Sequence, residues 1–168
     1  MKPKQTDLST IFASVPRARA ARLRIGVIAA RYNRPLCDAL LESALATLAK
    51  LGARKVVVCR VPGAYEIPVL AARMARSGNY DALIALGVVL QGGTSHAEHL
   101  AAADAVNLQR LAVETEVPVI HQVLTPRTEG DARARVRLRG EEAARAAVEM
   151  AATMGTAGRA RKGERRRR

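Results

Sequence analysis

The chain has 168 residues, enough for one domain with a core of its own, and its 49% apolar content comes mainly from Ala, Leu and Val, with Phe12 its one phenylalanine and no tryptophan. No run approaches the ~20 apolar residues of a membrane span, and no secretory h-region with a small-residue cleavage site opens the chain, so a cytoplasmic protein is expected. The net charge of +13 suggests a polyanion partner until it is divided: residues 159–168 carry +6, residues 1–22 carry +4 and the middle only +3, so the excess describes the ends and not the folded part.

A basic tail is therefore expected over residues 1–22, a domain over 23–154 and a second basic, disordered tail over 155–168. Within the domain, Leu23–Ala30 reads as a first strand, Arg31-Tyr32-Asn33 as the loop after it, and Pro35 as the opening of a helix. Leu36, Leu40, Leu41, Ala44, Leu45 and Leu48 form that helix's apolar stripe and Gly52 stops it. Val56–Cys59 is a short β-branched strand, Val61-Pro62-Gly63 a turn, and Glu66 begins a helix that runs to about Arg76. Ala82–Gly87 is the third strand. A long Ala-rich helix follows from about Ser95 to Glu114, then a fourth strand over Val117–Leu124. The last helix covers roughly Glu129 to Met154, with a break expected near Gly140.

Strands of five to eight residues alternating with helices imply right-handed crossovers, hence a parallel sheet covered on both faces. The expected fold is a three-layer α-β-α sandwich with a four-stranded parallel sheet. Ligands of such sheets gather beyond the carboxyl ends of the strands, where Tyr32, Tyr65, the Gly92–His96 loop and Thr125 converge. Gly92 and Gly93 give a backbone that can approach a ligand closely, Thr94 and Ser95 suit a helix start, and a helix N-terminus favours an anion such as phosphate. His96 then stands beside that anion site with a side chain that titrates near neutrality. Cys37 and Cys59 fit no C-x-x-C pair and no metal-ligand spacing, and no Walker loop or G-x-G-x-x-G is present.

Arg31-Tyr32-Asn33, the run Val61–Pro68 (Val-Pro-Gly-Ala-Tyr-Glu-Ile-Pro), the run Gly87–His96 (Gly-Val-Val-Leu-Gln-Gly-Gly-Thr-Ser-His), Val123-Leu124-Thr125, Arg135 and Arg139-Gly140 together resemble the 6,7-dimethyl-8-ribityllumazine synthase family, over about residues 24–152. The resemblance implies a flavodoxin-like fold and the penultimate step of riboflavin synthesis. There 5-amino-6-ribitylaminouracil condenses with 3,4-dihydroxy-2-butanone 4-phosphate, with no metal and no cofactor. By position it implies that Tyr32 stacks on the pyrimidine and that Ala64, Tyr65 and Glu66 hold the ribityl side. Val88, Val89 and Leu90 would line the ring, Gly93 and Thr94 would cradle the phosphate, and His96 would be the catalytic proton shuttle. Arg135 would close on the phosphate from a neighbouring subunit, so a homopentamer or a multiple of pentamers is implied, with riboflavin synthase a further expected partner and no specific nucleic acid. The chain departs from the family at Ala97, where an aromatic residue is usual, at His121 and Gln122, which make the expected substrate-binding wall more polar, and at Arg139, which takes the usual lysine position after a shortened segment. The other reading is a non-catalytic relative that binds lumazine or flavin, or builds a shell; the joint presence of Glu66, Thr94, His96 and Arg135 favours catalysis.

Overall fold

The computed structural model describes Leu8 and residues 11–165; the outermost parts of the two expected tails, residues 1–7, 9, 10 and 166–168, lie outside the described residues. A short helix α1 (Arg17–Ala20) is followed by β1 (Arg24–Ala30), α2 (Arg34–Leu51), β2 (Lys55–Val61), a single 3-10 turn (Ala64–Glu66), α3 (Ile67–Ala75), β3 (Ala82–Val88), α4 (His96–Thr115), β4 (Val119–Leu124) and α5 (Glu129–Arg165). The four strands form one sheet in the order β2-β1-β3-β4, and every pairing is parallel.

Burial explains the composition of the strands. Every residue of β3 is buried, and so is β1 from Ile25 onward, because these central strands are covered on both faces; they accordingly read as unbroken apolar runs. The edge strands β2 and β4 are mostly half-buried or exposed, and Val57 and Val58 of β2 remain open to solvent. At the amino ends, Asp81 ties β3 to β1. Its carboxylate accepts from the Arg24 N–H (2.8 Å) and from the Arg24 guanidinium (2.8 and 3.3 Å), while its own N–H donates to the Arg24 carbonyl (2.8 Å). Burial acts to raise the Asp81 carboxyl, but these bonds from Arg24 outweigh it and hold the group below its ordinary range.

α2 and α5 pack together over one face, and α3 and α4 cover the other. Gly140 does not break the last helix. It is the point of closest approach to α2, where a Cβ would lie 2.5 Å from the Leu40 carbonyl oxygen and 2.8 Å from the Ser43 Cβ, so the helix remains continuous because the residue is small. Ser43 fixes the same crossing by donating to the Arg137 carbonyl (2.5 Å). The helix also carries on past Met154, its expected end, to Arg165. Ahead of β1 the chain is largely exposed but tethered to the domain: the Ala13 N–H donates to Glu149 (3.1 Å), Arg17 donates to the Lys50 carbonyl at the end of α2, and Arg19 to the Ala152 carbonyl and the Thr156 hydroxyl. The second helix expected from Glu66 starts one residue later, because the 3-10 turn occupies Ala64–Glu66. Among the described residues no helix is long and apolar enough to cross a membrane.

Candidate functional site

Three loops leave the carboxyl ends of β1, β2 and β3 and close on one another. The first is pinned to the second by its backbone: the Arg31 N–H donates to the Val61 carbonyl (2.9 Å) and the Tyr32 N–H to the Pro62 carbonyl (3.0 Å). Asn33 turns the chain into α2 through a left-handed backbone (φ 53°), a conformation asparagine tolerates better than most residues, and its Nδ2 donates to the Val88 carbonyl at the end of β3 (2.8 Å). That geometry leaves Tyr32 76% exposed, with its side chain at the cavity and open to a planar partner. From below, the Cys37 thiol donates to the Tyr32 carbonyl (3.1 Å), and burial pushes that thiol up from its ordinary range. The Arg60 guanidinium bridges Asp38 (2.7 Å) and the Ala30 carbonyl (3.1 Å), and its hydrogen bond holds the Asp38 carboxyl below the usual carboxylate range.

In the second loop, Glu66 Oε2 accepts the Gly63 N–H at 2.7 Å, the reach-back half of a capping box. This fixes the carboxylate at the start of α3 and leaves Oε1 without a hydrogen bond among the described residues. The third loop prolongs the β3–β4 pairing: the Val89 N–H donates to the Leu124 carbonyl (2.8 Å), the Gln91 N–H to the Pro126 carbonyl (3.0 Å) and the Gln91 side chain to the Thr125 carbonyl (3.1 Å). α4 opens at His96. Ser95 stands at its cap position, yet no side chain makes the cap hydrogen bond expected of a serine there. Neither Gly92 nor Gly93 has a positive φ, and a Cβ on either would meet open space.

Between the loops lies a cavity of about 630 Å³. Tyr32, Ala64, Tyr65, Glu66, Val88, Val89, Leu90 and His96, taken from three separate stretches of sequence, all line it. Its wall is largely apolar, with Glu66, His96 and Asn33 as the polar groups, a composition suited to a flat ring with a few oriented donors and acceptors. Gly93 and Thr94 are exposed in the loop ahead of His96 and do not line the cavity. Arg135 is exposed on α5, and it too is absent from the wall. His121 sits half-buried on β4 with Nε2 buried and unpartnered among the described residues; burial pushes its imidazole below the ordinary range, and it is not a wall residue.

Asn33 and Leu100 line the cavity without having been singled out in the sequence as site residues. Leu100 could have been found from its helical spacing, since it stands four residues after His96 and so on the same face. Asp104 continues that face by one more turn and is 2% exposed, the only buried acid among the described residues. Among the described residues no group of three or more His, Cys, Asp or Glu side chains could hold a metal ion.

Comparison with known proteins gives a consistent result. The sequence profile of the family described as 6,7-dimethyl-8-ribityllumazine synthase matches residues 22–155. The 6,7-dimethyl-8-ribityllumazine synthase of Cupriavidus metallidurans is 44% identical over 131 residues, covering 77% of this chain and 78% of that protein. The enzyme of the same name from Ralstonia pickettii is 42% identical, over 77% of this chain and 79% of its own. That from Chromobacterium violaceum is 40% identical over 148 residues, covering 86% of this chain and 94% of the relative.

Proposed function

The chain belongs to the 6,7-dimethyl-8-ribityllumazine synthase family, and from that premise we propose how its residues divide the work of the reaction. It is a transferase of riboflavin biosynthesis that condenses 5-amino-6-(D-ribitylamino)uracil with 3,4-dihydroxy-2-butanone 4-phosphate to give 6,7-dimethyl-8-ribityllumazine, phosphate and water. The chemistry consists of attack of an amine on a ketone, elimination of phosphate and closure by the second amine. It asks the protein for a flat pocket, an anion site and a group that can move protons.

Tyr32 offers its exposed face to the pyrimidine, a contact worth about 0.5–1.5 kcal/mol beyond burial. Glu66 accepts the ribityl hydroxyls; Oε2 is already oriented by Gly63, so Oε1 meets the substrate without a search. Ala64 and Tyr65 flank it, and Val88, Val89 and Leu90 hold the ring edge. His96, at the first residue of α4, moves the proton. Gly93 and Thr94 receive the phosphate beside the α4 N-terminus, whose N–H groups lack a side-chain cap. Arg135 supplies the fixed cation that phosphate needs. Since it lies outside its own chain's cavity, the reading favoured here is that a neighbouring copy provides it, within a homopentamer or a multiple of pentamers. The exposed Val57 and Val58 on the open edge of β2 support such association. His121 backs the wall as a polar group, and the catalytic body is placed at residues 23–154, with the basic flanks outside the reaction.

One observation carries this division: three loops far apart in sequence bring Tyr32, Glu66 and His96 to one cavity. Replacing His96 with Ala separates proton transfer from binding. The expected outcome is a fall of about 10²–10⁴ in kcat, as for loss of a positioned acid or base, with KM for either substrate little changed and one limb of the pH–rate profile removed. An unchanged rate and profile would reduce His96 to a helix-start residue.

A further inference from the structure

Asp104 is buried to 2% exposure, and its Oδ2 has no hydrogen-bond partner among the described residues. Its position is not arbitrary. His96, Leu100 and Asp104 are spaced four residues apart on α4, so they share one face; the first two line the cavity and the third stands one turn behind. The 3-10 turn that carries Glu66 packs on α4. A buried carboxyl without a hydrogen-bond partner, on a helix packed against a turn that carries another carboxylate, is costly to ionise, and such a group relieves the cost by keeping a proton. Burial pushes the Asp104 carboxyl up to about 6, and the charge of Glu66 adds to the rise.

We propose that Asp104 is a positioning residue for the polyol end of the substrate: with Glu66 it forms a carboxyl pair that keeps a proton beside the cavity and releases it to solvent as the ribityl hydroxyls bind. The inference rests on the reading of Glu66 as the ribityl acceptor. While Asp104 is protonated its O–H needs an acceptor, and the carboxylate of Glu66 is the charged group that acts on it. Polyol hydroxyls are donors, so they bind best when the Glu66 carboxylate, which lines the cavity, is free to accept from them and not engaged with a protonated Asp104 behind it. Binding therefore favours the deprotonated pair, and by linkage affinity rises with pH through the Asp104 transition.

The other titratable groups on the elements packed against α4 do not share this role. Tyr65 on the 3-10 turn and Arg73 on α3 are exposed, Arg76 on α3 pairs with Glu114 (3.7 Å), and burial pushes the His121 imidazole on β4 below its ordinary range, which is common to wild type and variants. On α4 itself, His99 is exposed and bonded to the Ser95 carbonyl, and Glu98 is exposed. His96 lines the cavity and is unchanged in every variant below, so its contribution is common to both sides of the comparison.

The test is calorimetric titration of the full chain with 6,7-dimethyl-8-ribityllumazine at pH 6, in two buffers of different ionisation enthalpy. The wild type should release up to about half a proton per site more than Asp104→Asn, because about half of Asp104 is protonated at that pH, and its affinity should climb several-fold more steeply than that of the variant between pH 5 and 7. Asp104→Ala, checked for cooperative melting, should behave as Asp104→Asn does. Equal proton release and equal pH dependence in wild type and both variants, together with weakened binding in Glu66→Gln, would overturn the role of Asp104 alone. If Glu66→Gln binds the lumazine as the wild type does, the reading of Glu66 fails and this inference falls with it.

Discussion

Asn33 shows how much of the site depends on a residue that holds the loops together. It holds the left-handed backbone that turns β1 into α2, and its side chain reaches Val88 at 2.8 Å, so it joins the Tyr32 loop to the end of β3. Asn33→Ala should cost about 1 kcal/mol for the backbone and about 1 kcal/mol for the hydrogen bond. The melting temperature should fall by several degrees, and KM for the pyrimidine substrate should rise as Tyr32 loses its fixed position. Asn33→Gly should recover the backbone part alone. Melting of the Ala variant at the wild-type temperature would show that the loop is held by other means. In the sequence Asn33 was visible as a loop residue within the Arg31-Tyr32-Asn33 motif, but not as a tie between loops, since its partner lies 55 positions away.

At the scale of the element, Gly140 makes the sharpest case. Alanine is favoured over glycine inside a helix by up to about 1 kcal/mol, yet a Cβ here would meet the Leu40 carbonyl oxygen at 2.5 Å and the Ala44 nitrogen at 3.0 Å. These are backbone atoms that cannot swing aside, so overpacking at about 1–3 kcal/mol wins. Gly140→Ala should lower the unfolding temperature and separate α5 from α2, while a stabilised variant would refute the close crossing. A lone glycine in a helical pattern reads as a break until its neighbour is in place, which is why the sequence suggested one. The strands were legible for the opposite reason: an unbroken apolar run such as Ala82–Leu86, too short for a buried helix and followed by Gly87, suits a central parallel strand. The loops Arg31–Asn33, Val61–Glu66 and Gly87–His96 were legible because all three follow strands and so must meet at one sheet edge. Leu100 follows from its helical spacing after His96, but Asp104 was hidden in an Ala-rich helix whose apolar stripe is weak, and its burial shows only once α4 is packed.

Across the whole molecule, Tyr32, Glu66 and His96 line one cavity, while Arg135, the proposed phosphate cation, stands exposed elsewhere on the same chain. If a neighbouring copy closes the site, Glu66→Ala and Arg135→Ala should each be nearly inactive, and reassembly of an equimolar mixture should restore about a quarter of wild-type activity, the random share of sites with both residues intact in a ring. No recovery would place both groups on one subunit. Among the described residues none from the basic flanks lines the cavity, so the central claim concerns chemistry at the sheet edge. It is tested most directly by supplying the purified full chain with 5-amino-6-(D-ribitylamino)uracil and 3,4-dihydroxy-2-butanone 4-phosphate, then following lumazine absorbance and free phosphate together. The account predicts equal amounts of both products, formed well above the uncatalysed rate, dependent on both substrates and strongly reduced in Glu66→Ala. Phosphate release without lumazine, or a rate no faster than that without protein, would contradict it.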